Sequence, residues 1–228
     1  MSNLAIIPAR GGSKRIPRKN IREFLGKPII AYSIETALES GLFDEVMVST
    51  DDKEIAQVAK KVGAKVPFMR SSETADDYAT LADVVDEVKN SCINMGDSYT
   101  HICCILSTAP FVTVKNLKTG YQMLQREGVD SVRPIVEFPY PIQRAFRKSE
   151  NGFVELFHPE NKKTRSQDLE PAYYDAGQFY WMKWEPGMKG EKRAGFEISQ
   201  YLAQDIDTYD DWKIAEMKFK LMENFYGE

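Results

Sequence analysis

Short runs that are apolar at every position, set between stretches of helical periodicity, constrain this chain more than any other feature. Leu4 to Ile7, Val46 to Val48 and Ile102 to Leu106 are such runs. A strand with no polar side must be covered on both faces, and that is the situation in a parallel sheet. Between the runs, apolar residues recur at helical spacing: Ile30, Ile34, Ala37 and Leu38, then Ile55, Val58, Ala59 and Val62. Leu81, Val84, Val85, Val88 and Cys92 form a third set, and Leu117, Tyr121 and Leu124 a fourth. Val66 to Met69, Val129 to Val136 and Gly177 to Trp181 read as further strands, and Trp212, Ala215, Phe219 and Met222 mark a closing helix. Strands alternating with helices predict an α/β, Rossmann-like fold, with a mainly parallel sheet and helices on both faces. Ligands of such sheets bind beyond the carboxyl ends of the strands. The loops after Ile7, Val48 and Leu106 are therefore the functional edge.

The pattern breaks at Phe138, where Pro139 and Pro141 follow. Arg144 to Lys148 and Phe153 to Phe157 flank Ser149-Glu150-Asn151-Gly152, and Asn-Gly between alternating runs is a hairpin signal. Residues 139–172 are predicted to project as an inserted arm, a lid or a dimerisation element, from a core made of 1–138 and 173–228. The net charge of −4 over 228 residues excludes the broad basic excess that nucleic acid tracking needs. Three cysteines, Cys92, Cys103 and Cys104, have neither disulfide-framework nor zinc spacing and read as buried thiols. His101 and His158 are not spaced as ligands. With no secretion signal and no apolar run long enough to span a membrane, a cytoplasmic protein is expected.

One loop stands apart chemically. Arg10-Gly11-Gly12-Ser13-Lys14-Arg15-Ile16-Pro17-Arg18-Lys19-Asn20 follows the first buried run directly. Glycines allow close approach of backbone N–H groups to an anion, and Arg and Lys neutralise a polyphosphate. The spacing is neither that of a Walker A loop nor G-x-G-x-x-G. Near the other end stands Gln204-Asp205-Ile206-Asp207-Thr208. In extended backbone Asp205 and Asp207 point the same way with Cα atoms roughly 6.6 Å apart, which suits a shared cation. Magnesium takes one or two carboxylates with water and phosphate oxygens. Helix capping would account for Thr208, Asp210 and Asp211, but poorly for Asp205.

The run Ile7-Pro8-Ala9-Arg10-Gly11-Gly12-Ser13-Lys14 with Lys19-Asn20 resembles the N-terminal signature of the acylneuraminate cytidylyltransferases, which use CTP to activate acidic sugars. Val48 to Asp52, Phe68-Met69-Arg70 and Asp205-Ile206-Asp207 resemble that family as well. The resemblance implies a nucleotide-diphospho-sugar transferase fold, an Mg2+ cofactor and a homodimer whose 139–172 arm reaches the neighbouring subunit. It implies that Arg10, Gly11, Gly12, Ser13, Lys14 and Lys19 meet the triphosphate, with Arg10, Lys14 and Lys19 serving catalysis. Asn20, Arg70 and Ala79 would meet the ribose and base, and Asp205 and Asp207 the metal. From its own segment alone, Arg70 reads equally well as a surface ion pair with Glu73 or Asp77.

Tyr173-Tyr174-Asp175-Ala176-Gly177-Gln178-Phe179-Tyr180-Trp181 and Thr164 to Leu169 resemble the branch of the family that acts on pseudaminic acid, a bacterial nonulosonic acid. That implies CMP transfer from CTP for bacterial surface glycan or flagellin glycosylation, with Arg165 on the sugar carboxylate and Gln178 lining the sugar pocket. Asp175 is either a sugar contact or a hairpin residue. The sequence departs from the neuraminate pattern at Leu106, where those enzymes carry a glutamine, which argues against N-acetylneuraminate. Other readings are another nonulosonic acid on the same chemistry, a sugar-1-phosphate nucleotidyltransferase, a non-catalytic nucleotide-binding module, or a scaffold built on the arm.

Overall fold

The computed structural model describes residues 2–226. In chain order the strands and helices are β1 (Asn3–Pro8), β2 (Glu23–Phe24), β3 (Lys27–Pro28), α1 (Ile29–Ser40), β4 (Glu45–Ser49), α2 (Lys53–Val62), α3 (Leu81–Met95) and β5 (His101–Ile105). There follow α4 (Val114–Leu124), β6 (Ser131–Glu137), β7 (Phe146–Lys148), β8 (Val154–Leu156), β9 (Tyr173–Asp175), β10 (Phe179–Lys183), β11 (Arg193–Glu197) and α5 (Tyr209–Tyr226). The main sheet has the order β11-β6-β10-β5-β1-β4, with β9 also paired to β6. β4, β1, β5, β6 and β11 run parallel, and β10 and β9 run against them.

The wholly apolar runs have the predicted two-sided burial. Along β1, Ala5 and Ile7 pack with residues of α1, α2 and α4 on one face, while Leu4 and Ile6 pack with Val85, Val88 and Cys92 of α3 on the other. All four β1 residues are fully buried, worth roughly 1.5–3 kcal/mol for each large side chain. On the α4 side, Trp181 of β10 stacks on Phe43 and donates its indole N–H to Leu117 O at 3.1 Å. A Cβ at Gly120 would lie 2.9 Å from Trp181 Cδ1. That close approach explains a glycine inside α4 despite a propensity cost of about 1 kcal/mol.

A third core lies under α5. Trp212, Ala215 and Phe219 cover Phe24, Tyr32 and Phe111 in edge-on and tilted ring contacts. Ile16 of the basic loop and Ile206 of the Asp-Ile-Asp segment are buried in the same cluster.

Three sequence expectations change. Val66 to Met69 is not a strand: apart from a single bridge between Met47 and Lys65, it runs beside β4 without pairing. Pro67 interrupts it and has no N–H to offer a ladder. β11 was not foreseen; it pairs parallel with β6, and its side chains alternate between exposed and half-buried around Gly195. Asp175 is not in a hairpin. β9 and β10 lie along the same side of β6 in the same direction, broken at Ala176 to Gln178. Pro134 sits in the stretch of β6 opposite that break, where a missing N–H is tolerated.

Residues 139–172 leave the sheet between β6 and β9. Phe138 N–H donates to Ala172 O at 2.9 Å across the neck of the segment. β7 and β8 form the antiparallel hairpin expected around Asn151-Gly152, with Gly152 at φ +89°.

The basic loop is fastened to the start of α2. Asp52 caps that helix through Glu54 N and Ile55 N, and the Arg18 guanidinium grips the same carboxylate. Arg18 itself adopts a left-handed conformation at φ 57°. The Arg18 hydrogen bond, aided by the helix N–H groups, lowers the Asp52 pKa from the usual 3.8 to about 2. A depressed carboxylate stabilises the fold above the unfolded value and loses that contribution as pH falls through the folded one. Asp52→Asn is therefore expected to lower stability by about 2 kcal/mol near neutral pH. In urea titrations at falling pH the gap from the native protein should close between about pH 4 and pH 2. A gap of the same size at the lowest pH would contradict this linkage.

Candidate active site

The carboxyl ends of β1 and β5 open into a cleft of 540 Å³, and the end of β4 reaches it through Arg70, which Ser49 holds. Pro8, Arg10, Ser13, Lys14, Arg15, Ile16, Lys19 and Asn20 line one wall. Arg70, Thr74, Asp76, Asp77, Ala79, Thr80, Leu81 and Val84 line a second, and Leu106, Ser107, Thr108 and Asp207 complete it. Five cationic side chains face three carboxylates here, a local positive excess in a chain of net charge −4. Such a cleft favours a polyanion.

The loop is held open by its own backbone and by buried polar groups. Gly11 donates its N–H to Asp51 Oδ1 at 2.9 Å, and a Cβ there would lie 2.8 Å from Asp52 Oδ2. Only glycine permits that approach, so Gly11 shapes the loop. Neither Gly11 nor Gly12 lines the cleft, and the Gly11 N–H is committed to Asp51. Asn20, buried at the loop's end, donates to Arg10 O at 2.9 Å and accepts from Ser107 Oγ at 3.0 Å. It thereby ties the loop to the end of β5.

Four of the loop's five cations line the cleft, and Arg18 is turned away onto Asp52 and Glu54. Arg10 and Lys14 pair with Asp77. Arg15 pairs with Asp207 at 2.8 Å, and Lys19 reaches Ile206 O at 2.6 Å and Asp207 at 3.5 Å. The Asp-Ile-Asp segment lies outside any strand or helix, with Ile206 buried. Asp207 lines the cleft, whereas Asp205 is exposed outside its lining.

Arg70 is buried at the cleft wall, with Nε 3.0 Å from Ser49 Oγ and a further bond to Ser49 O. Burial lowers its pKa, but guanidinium remains charged. Ala79 lies beside it in the lining, its N–H on Asp76 Oδ1 at 2.7 Å. The alternative reading of Arg70, an ion pair with Glu73 or Asp77, is not seen among the described residues: its bonds go to Ser49 and Thr74, and Asp77 takes Arg10 and Lys14.

The residues expected on the sugar side are not all gathered. Gln178 is buried behind Leu106, whose N–H donates to Gln178 O at 2.8 Å. Its side chain donates to Leu202 O, while Oε1 is buried with no hydrogen-bond partner among the described residues. Asp175 lies outside the cleft lining and binds Arg133 at 3.0 Å, Tyr180 Oη at 3.2 Å and Gly177 N at 2.9 Å. Arg165 stands on the arm, exposed and paired with Asp168 at 2.9 Å, and the chain's own fold does not bring it to the cleft.

Arg15, Ser107 and Asp77 line the cleft although none was singled out as a ligand contact. Arg15 had a signal, its place in the loop; Asp77 was read as a surface partner of Arg70 and instead pairs with Arg10 and Lys14. Cysteine chemistry is excluded: burial raises the Cys104 thiol to about 12, and Cys103 higher than its ordinary value too. His101 is at the amino end of β5, on the edge opposite the cleft.

Residues 4–223 match the family described as cytidylyltransferase. A pseudaminic acid cytidylyltransferase of Campylobacter jejuni is 46% identical over 227 residues, covering 97% of each chain. A CMP-N,N'-diacetyllegionaminic acid synthase of Legionella pneumophila is 32% identical over 98% of this chain and 97% of its own. Among solved structures, a CMP:2-keto-3-deoxy-manno-octonic acid synthetase complexed with CTP superposes with a TM-score of 0.68. It is 16% identical and covers 99% of this chain, a likeness of fold. The reach of the family match, from β1 through the Asp-Ile-Asp segment into α5, takes in every wall of the cleft, and the chain belongs to the cytidylyltransferase family.

Proposed function

We propose that the protein transfers CMP from CTP to the anomeric hydroxyl of pseudaminic acid, releasing pyrophosphate. The observation that carries this reading is the cationic cleft in which the 10–19 loop faces Asp207. The similarity of nearly the whole chain to a pseudaminic acid cytidylyltransferase supports the choice of sugar. Leu106 in the lining offers no amide where a neuraminate enzyme has glutamine.

In this reading Arg10, Ser13, Lys14 and Lys19 bind the triphosphate, and Asn20, Arg70 and Ala79 take the ribose and base. The sugar hydroxyl attacks the α-phosphorus in line and pyrophosphate leaves. Catalysis of such a transfer rests on positioning and on offsetting charge as it develops. Arg10, Lys14 and Lys19 supply that charge from a prefolded loop, so little reorganisation accompanies the step.

The donor set fits magnesium. Among the described residues no group of three or more His, Cys, Asp or Glu is placed to hold a metal. Of the two acids of the segment Asp207 lines the cleft, and a single carboxylate leaves most ligand positions to phosphate and water, which magnesium prefers. Bound there it would neutralise phosphate charge. Arg15 and Lys19 hold the Asp207 carboxylate at the cleft wall.

A homodimer is part of the proposal. The arm exposes Phe146, Phe153, Val154 and Phe157, with Phe153 73% exposed, and lines an apolar groove with Phe138, Ile142 and Leu156. Burial of that face against a second copy would bring Arg165 towards the partner's cleft. The reading expects a dimer mass by light scattering and a monomer for Phe153→Glu; a native monomer would remove the arm's role.

Two assays address the chemistry. With CTP and magnesium, pyrophosphate should be released with pseudaminic acid and not with N-acetylneuraminate. Release with neuraminate alone would overturn the sugar assignment and keep the reaction. Asp207→Asn should lower kcat by about two orders of magnitude at saturating magnesium. Near-normal turnover would refute the metal role of Asp207.

A further inference from the structure

Arg10 and Lys14 reach across the cleft to one carboxylate. Arg10 Nη2 lies 3.0 Å from Asp77 Oδ1, Lys14 Nζ binds Asp77 Oδ2, and Arg10 also donates to Asp76 O. Each oxygen of Asp77 therefore takes one of the two cations assigned above to the triphosphate. The Lys14 hydrogen bond, with Arg10 beside it, holds the Asp77 carboxyl below the ordinary aspartate range. The acid belongs to the loop between Arg70 and α3, the same loop that presents Ala79 to the cleft. Asp77 is half exposed, and it stabilises no helix end, since α3 is capped by Thr80 and Asp83.

We infer that Asp77 is an internal counter-anion for the phosphate subsite: it holds Arg10 and Lys14 when no nucleotide is bound, yields them to the β- and γ-phosphates, and takes them back as pyrophosphate leaves. The inference rests on the proposed CTP reading. Three physical points carry it. A triphosphate and Asp77 compete for the same two cations, or share them at the cost of like-charge repulsion. Either way the carboxylate opposes phosphate binding. Exposed ion pairs are individually weak, so the exchange is easily reversed. Finally, the opposition scales with phosphate charge at this subsite, so it should act on CTP and pyrophosphate and leave the cytidine end of the ligand alone.

The test is the affinity of native protein and Asp77→Asn for cytidine, CMP, CTP and pyrophosphate, by calorimetry in magnesium buffer, with thermal unfolding as a check on the fold. Asp77→Asn is expected to bind CTP and pyrophosphate about three- to tenfold more tightly, with cytidine and CMP unchanged. Inhibition of turnover by pyrophosphate should strengthen by the same factor, and Asp77→Glu should behave as native. Unchanged or weaker CTP binding by Asp77→Asn would overturn the inference. So would an equal change for cytidine and CTP, which would make Asp77 a mere support of the loop. A folded native protein that binds none of the cytidine compounds would instead overturn the nucleotide reading, and this inference with it.

Discussion

The site depends on one packing event. Ile16 and Ile206 come from opposite ends of the chain and are buried in the same cluster beneath α5. Each is flanked by charge: Lys14, Arg15 and Lys19 on one side, Asp205 and Asp207 on the other. Burying the two isoleucines together therefore forces cations and carboxylates to meet at the cleft wall. The polar contacts there, Arg15 on Asp207 and Lys19 on Ile206 O, are consequences of that burial. Exposed ion pairs contribute little of their own. The aromatic rings of Phe24, Tyr32, Phe111, Trp212 and Phe219 supply the area that holds the arrangement.

The sheet supplies the rest of the frame. Parallel strands covered on both faces end at one edge, so β1, β4 and β5 deliver Arg10, Asp51, Asp52 and Ser107 to a common rim. Asn20 and Ser107 then join the loop to β5, while Asp51 and Asp52 join it to α2. The loop is thus fixed at three points, with four of its cations along the cleft wall. Reversal of β10 within the sheet places Gln178 behind Leu106, which brings the amino end of β10 next to the same rim.

Much of this was legible in the sequence, for physical reasons. Leu4 to Ile7 and Ile102 to Ile105 announce two-sided burial by having no polar position. The basic loop shows itself because five cations and two glycines cluster directly after a buried strand, and Trp212, Ala215 and Phe219 keep helical spacing. Illegible parts have their own causes. Arg193 to Glu197 alternates weakly around a glycine on an edge strand, so β11 gave no signal. Val66 to Met69 has strand-like residues, but Pro67 prevents a ladder. Asp77 and Arg15 acquire meaning only through partners distant in sequence. The orphaned Oε1 of Gln178 exists only in three dimensions. Arg165 lies on the arm, exposed and away from the cleft lining.

The central claim is that the 10–19 loop and the Arg70–Ala79 wall form one nucleotide site at the carboxyl edge of the sheet. A crystal structure of the protein with CTP tests it most directly. The account predicts phosphate density against Arg10, Lys14 and Lys19 with cytosine against Arg70 and Ala79. Nucleotide bound elsewhere, or phosphates turned away from the loop in a fully occupied site, would contradict it.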